Sequence, residues 1–185
     1  MNEFKINNKK IRAEVIADYI GKRRAFAFSC GNATRWLKRA GVNLIPIDGE
    51  ALKACRFITI EEMDRWFDAF NATSGYLPTY LMERIAKKIE SKIPEIKKEK
   101  IIAVPFGSGE LILALGFFIP LKKIIAIYSN EFAPTRQDGT SPIAEFIKHN
   151  CRIAEVKKAK NINDLKKFAK QIGATAFIDT RESEK

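Results

Sequence analysis

The apolar positions of this chain fall into two alternating rhythms. Short unbroken runs such as "KIIAVPF" (100–106) and "KIIAIYS" (123–129) carry branched apolar residues back to back, as strands buried on both faces do. Between them lie segments with helical spacing. In "KIRAEVIADYI" (10–20), Ile11, Val15, Ile16 and Tyr19 share one face, and Gly21 offers a stop. Strands are also predicted at 25–29, 42–47, 152–157 and 174–179. Helices are predicted at 32–41, 59–70, 77–93, 142–149 and 161–172, and an apolar helix opens from a glycine loop in "GSGELILALGFF" (107–118). Thr59-x-x-Glu62 reads as a capping box, 71–75 as a loop and 130–141 as a long polar loop. This alternation is that of an α/β protein, and the strand–helix–strand unit over 25–47 requires parallel pairing with a right-handed crossover.

Neither a low-complexity linker nor an internal repeat interrupts the 185 residues, so a single compact α/β unit spanning 1–185 is expected. A small lobe of about 22–70 would stand against a main lobe formed by 1–21 and 71–185. The longest apolar run, "LILALGFFIPL" (111–121), is broken by Gly116 and Pro120, which argues against a membrane span. The start, "MNEFKINNKKIR", lacks an apolar signal core. With Cys30, Cys55 and Cys151 scattered, this favours reduced thiols and a cytoplasmic location. One histidine, His149, and no C-x-x-C pair give no metal site.

Charge changes the picture in one respect. The formal net charge is +11, and residues 1–40 hold ten Lys/Arg against three Asp/Glu. A lysine-rich solvated surface explains this, as does a basic face for nucleic acid. The Lys/Glu/Ile-rich, Gln-poor composition resembles that of hyperthermophile proteins. No zinc-finger pattern or aromatic RNA-binding motif accompanies the charge.

Two corners have the form strand–glycine–helix: "FSCGN" (28–32) and "FGSGE" (106–110). Glycine lets a backbone approach a ligand, and the following amides suit an anion. Neither corner has the G-x-G-x-x-G of a dinucleotide site. The second corner, with "IIAIYSNE" after it, is similar to the cofactor loop of amino-methylating DNA methyltransferases, which implies a Rossmann-like S-adenosylmethionine binder. The Pro-Pro-aromatic catalytic motif of that family is missing.

The order Lys10-Ile11-Arg12, Ser29-Cys30-Gly31-Asn32, "GYLPTYLMERI", Gly107-Ser108-Gly109-Glu110 and "ATAFIDT" resembles fold-type II pyridoxal-phosphate enzymes, the group of cysteine synthase, threonine synthase and the tryptophan synthase β chain. The resemblance implies a compact tryptophan synthase β-like architecture, with three layers and helices on both faces of parallel sheets. It makes Lys10 the Schiff-base lysine and Ser29, Cys30 and Gly31 the holders of a substrate carboxylate. Asn32 would lie beside the cofactor's phenolic oxygen, Gly107, Ser108 and Gly109 at its phosphate, and Thr180 at its pyridine nitrogen. Gly75, Thr79 and Glu83 echo a further family stretch with one residue extra.

On this resemblance the chain acts on a small amino acid, or binds another small anionic ligand, and forms a homodimer. Three departures qualify it: the chain is shorter than the family's, its phosphate loop keeps two of four glycines, and Glu110 adds a carboxylate beside the loop. They leave open a non-catalytic structural or interaction module of the same fold. Plainer roles are a solvated helix-start lysine for Lys10, an N-cap for Asn32, a strand-end hydroxyl for Ser29, a buried thiol for Cys30, a helix-dipole partner for Glu110 and core packing for Trp36 and Trp66.

Overall fold

The structure is a computed structural model that describes residues 1–20, 24–28, 36, 38–41, 43–47, 79–129 and 142–181. The predicted helix 59–70, the loops 71–75 and 130–141, and the corner Ser29–Asn32 lie outside the described residues. The chain divides into two compact units, Lys9–Ile85 and the combination of Met1–Asn8 with Ala86–Lys185.

The larger unit is built on a five-stranded sheet. Its strands are β1 (Asn2–Lys5), β4 (Ile102–Pro105), β5 (Ile124–Tyr128), β6 (Arg152–Glu155) and β7 (Ala176–Asp179), in the order β1-β7-β4-β5-β6. Every pairing is parallel. The sequence explains which strands are central. Ile102, Ala103 and Val104 of β4 and Ile124 to Ile127 of β5 are buried, as strands covered on both faces must be. The edge strands β1 and β6 carry charge, with Glu3 and Lys5 on one and Arg152 and Glu155 on the other. Charged edges discourage stray pairing with other chains.

Strand β1 is a correction to the sequence reading, which gave no strand before residue 25. Its Asn2–Lys5 segment pairs along its whole length with Ala176–Asp179. Nothing local in "NEFK" favours a strand. The partner supplies the preference.

Helix α5 (Ile162–Gln171) closes one face of this sheet. Ile162, Leu165 and Ala169 pack with Ala103, Ile125, Ile127 and Phe177, the alternate residues of three strands. Both its ends are encoded locally. The Asn161 side chain accepts from the amides of Asn163 (2.9 Å) and Asp164 (3.3 Å), while the Asp164 carboxylate accepts from the Lys160 amide (2.9 Å). Gly173, at φ 83°, takes the left-handed position after the last turn. The unit also contains α3 (Glu110–Gly116) and α4 (Pro142–Asn150).

In the smaller unit, β2 (Arg24–Phe28) and β3 (Asn43–Ile47) pair in parallel, as the strand–helix–strand pattern requires. Between them Trp36 is buried, with the Arg39 guanidinium 4.9 Å from its ring centroid, and Gly41 adopts φ 84°. Helix α1 (Asn8–Ile20) buries Ile11, Ala13, Val15 and Ile16. Helix α2 (Thr79–Lys92) begins in this unit and continues past Ile85 into the larger one; it buries Leu81, Met82, Ile85, Ala86 and Ile89, the amphipathic stripe of its sequence.

Candidate functional site

The strand order contains a reversal. From β4 the chain steps to β5 and then to β6, and α5 then carries it back across to β7 on the other side of β4. Such a reversal is where open parallel sheets hold ligands, outside the carboxyl ends of the strands. The two strands at the reversal end in Pro105-Phe106-Gly107-Ser108-Gly109 and Asp179-Thr180-Arg181.

Pro105 shapes this end. Successive residues of a strand turn their backbone groups toward alternate neighbours. The Phe106 amide donates to Ile127 of β5 (2.7 Å), whereas the Ile101 carbonyl accepts from Ala176 of β7 (3.1 Å). Odd-numbered residues of β4 therefore face β7, and Pro105, which has no N–H, is one of them. The β4–β7 ladder comprises only Ile102–Ala176 and Ala103–Phe177, although both strands run two residues further. The same register, continued, brings Phe106 level with Thr180.

The loop after β4 contains two different glycines. Gly109 has φ 87°, and a Cβ there would stand 2.4 Å from Ile147 Cδ1 and 2.9 Å from Ile143 Cγ2 of α4. Its backbone conformation and its packing both demand glycine. At Gly107 the φ is ordinary and an added Cβ would meet nothing within 4 Å. Ser108 is exposed, and its Oγ stands 3.5 Å from the Glu110 amide, at the limit of a hydrogen bond. Glu110 is 5% exposed, so its carboxylate does not stand in solvent over the loop. Helix α3 is only seven residues long and adds little dipole. What the corner offers a ligand is loop backbone and the Ser108 hydroxyl.

The end of β7 is built from charged side chains. Asp179 is 1% exposed, and its two oxygens accept from Arg181 Nε at 3.0 and 2.9 Å and from Arg181 Nη2 at 2.5 Å. The Arg181 amide also donates to Asp179 Oδ1 (3.0 Å), an Asx-turn that fixes the backbone at Thr180. Arg181 Nη1 reaches Asn163 Oδ1 of α5 (3.3 Å), and Lys166 of α5 pairs with Glu3 of β1. Burial pushes the Asp179 carboxyl up, but the hydrogen bonds and charge of Arg181 outweigh it and hold the group below its ordinary value. The same contacts raise the Arg181 guanidinium further.

Of the residues singled out in the sequence, Gly107, Ser108, Gly109 and Thr180 come to one end of one sheet, on neighbouring strands. Lys10 is exposed in the first turn of α1, in the other unit. Ser29, Cys30, Gly31 and Asn32 lie outside the described residues. The Glu3–Lys166–Asp179–Arg181 cluster had no sequence signal beyond the two-residue spacing in Asp-Thr-Arg. Among the described residues no group of His, Cys, Asp or Glu could hold a metal ion, and no helix is long and apolar enough to cross a membrane. Comparison with known protein families, with curated proteins and with solved structures finds no match in any of the three.

Proposed function

We propose that the chain binds a small phosphate-bearing ligand at the carboxyl ends of β4 and β7, with pyridoxal phosphate as the ligand its resemblance implies. The observation that carries this reading is the adjacency of β4 and β7 at the strand-order reversal. Loops on neighbouring strands are close enough to hold a phosphate at one end of a small ring and its nitrogen at the other. Right-handed crossovers would set α3 and α4 on the sheet face opposite α5, giving the three layers of the tryptophan synthase β-like architecture.

Gly107 and Ser108 suit the phosphate. The space above Gly107 accommodates a close approach, and no carboxylate is exposed in the loop itself. Gly109 is already committed to packing against α4, which leaves a narrower cradle than four glycines would give. The Thr180 hydroxyl, on a backbone fixed by the Asp179–Arg181 turn, would accept or donate at the ring nitrogen. The bound cofactor would supply an electron-withdrawing ring for chemistry at Cα of a small amino acid. The reduced glycine content favours retained binding over fast turnover.

Titration of the full chain with pyridoxal phosphate tests the reading. A saturable change in the cofactor's visible absorption is expected, weakened at least tenfold in affinity by Gly107→Ala. No saturable binding of pyridoxal phosphate or inorganic phosphate would sink it. Saturable binding of S-adenosylmethionine alone would replace it with the Rossmann-like alternative.

A further inference from the structure

We propose that the opposite end of the same sheet, where the parallel strands begin, binds single-stranded nucleic acid. Because β4 and β5 are parallel neighbours, the segments leading into them arrive side by side. One is the 3-10 turn Pro94–Lys98 with residues 99–101, and the other is the turn from Gly116 to Lys123. They touch. Lys123 Nζ donates to the carbonyls of Glu99 (3.3 Å) and Lys97 (3.5 Å), and Lys97 Nζ lies 6.0 Å from the Phe118 ring centroid.

This joined surface presents Lys97, Lys98, Lys100 and Lys122 to solvent. Of its carboxylates, Glu90 pairs with Lys97 and Glu99 accepts from Asn2 Nδ2 (2.6 Å), while Glu95 is exposed. Lys98, Lys100 and Lys122 are further exposed cations on these two turns, which also carry one exposed aromatic ring. That ring is Phe117, 47% exposed. The turn holding it is tight, for a Cβ on Gly116 would stand 2.8 Å from Leu121 Cδ2. The core is served by Leu115, just before this turn, and by Ile119 within it, both buried, so Phe117 is not needed for packing.

An exposed phenylalanine on a surface that also carries exposed lysines matches the chemistry of an unpaired strand. A base stacks on the ring while ammonium groups meet the flanking phosphates. A duplex hides its base faces and would use only the lysines. A bilayer anchor needs more apolar area than one ring supplies, and a protein interface needs a broader apolar centre. The chain's net charge of +11 favours encounter with any polyanion.

Fluorescence anisotropy of labelled oligothymidine and oligouridine with the full chain, across a salt series, tests this. Micromolar or tighter binding is expected at low salt, with a log–log salt slope of roughly −2 for three phosphate contacts at about 0.7 each. The triple variant Lys98→Glu, Lys100→Glu, Lys122→Glu should lose the binding. Phe117→Ala should weaken it by roughly tenfold, the scale of one lost stacking contact, without changing the slope. Phe117→Trp should restore it. The proposal fails if no binding appears, if Phe117→Ala is neutral, or if a duplex binds equally well. It also fails if only phosphatidylserine vesicles bind. Circular dichroism of each variant separates lost binding from lost fold.

Discussion

The ends of β4 and β7 stand side by side and are built from opposite materials. The β7 end uses charged side chains that satisfy one another: Asp179 with Arg181, Arg181 with Asn163, and Glu3 with Lys166. The β4 end, from Phe106 to Gly109, has no charged side chain at all and presents backbone and one hydroxyl. A self-satisfied cluster fixes geometry, because each of its groups has a partner within the protein. A glycine loop with space above it has unused recognition capacity. On the proposed function, the β7 end would position and the β4 end would contact the ligand. A second contrast lies within the loop itself, since the fold requires Gly109 and makes no demand on Gly107.

The sharpest way to break that second contrast is Gly109→Ala. The left-handed backbone costs a side-chain residue about 1–2 kcal/mol. Forcing a methyl against Ile147 and Ile143 adds about 1–3 kcal/mol of overpacking. A loss of roughly 2–5 kcal/mol is expected in urea denaturation, large against ordinary domain stabilities of about 5–15 kcal/mol. A neutral result would mean that Gly109 is no more constrained than Gly107.

The β7 end should respond through pH. Asp179 has a carboxyl pKa held below its unfolded value, so its contribution is complete above the ordinary carboxylate range, near pH 4. The contribution is lost as pH falls through the lower, folded-state pKa. Asp179→Asn should therefore cost about 1–2 kcal/mol at neutral pH, a modest value because the Arg181 partner is half-exposed. The variant should also show a flatter acid limb in a stability–pH profile than the parent. Equal acid limbs would remove Asp179 from the positioning role.

Much of this architecture was legible in the sequence where local signals and tertiary needs agreed. The unbroken apolar runs of β4 and β5 marked the central strands, and Asn161 and Gly173 bracket α5 within a residue of its predicted ends. Strand β1 was not legible, because "NEFK" becomes a strand only by pairing with β7. At the site, glycines at a strand end pointed to the 107–109 loop, and the last strand pointed to Thr180. The Glu3–Lys166 pair joins residues 163 apart, and no local pattern announces such a contact. Pro105 is visible to any reader as a breaker. Which ladder it breaks depends on the parity of backbone groups in β4, which only the paired sheet defines.

The smallest expected stability effect is the most telling for the comparison. Gly107→Ala introduces a Cβ into open space at an ordinary φ, so folding should tolerate it. Reduced unfolded-state freedom could even add about 0.4–1 kcal/mol. Ligand binding should behave in the opposite way. A methyl group in the path of a phosphate keeps its oxygens from the loop amides, and a charge-assisted hydrogen bond weakens steeply with distance. Melting curves and phosphate-ligand titrations on the same preparation would read both effects. Unchanged or higher stability with lost binding marks Gly107 as a contact glycine. Lost stability would make it a structural glycine like Gly109, and the β4 end would then be a turn of the fold rather than a cradle.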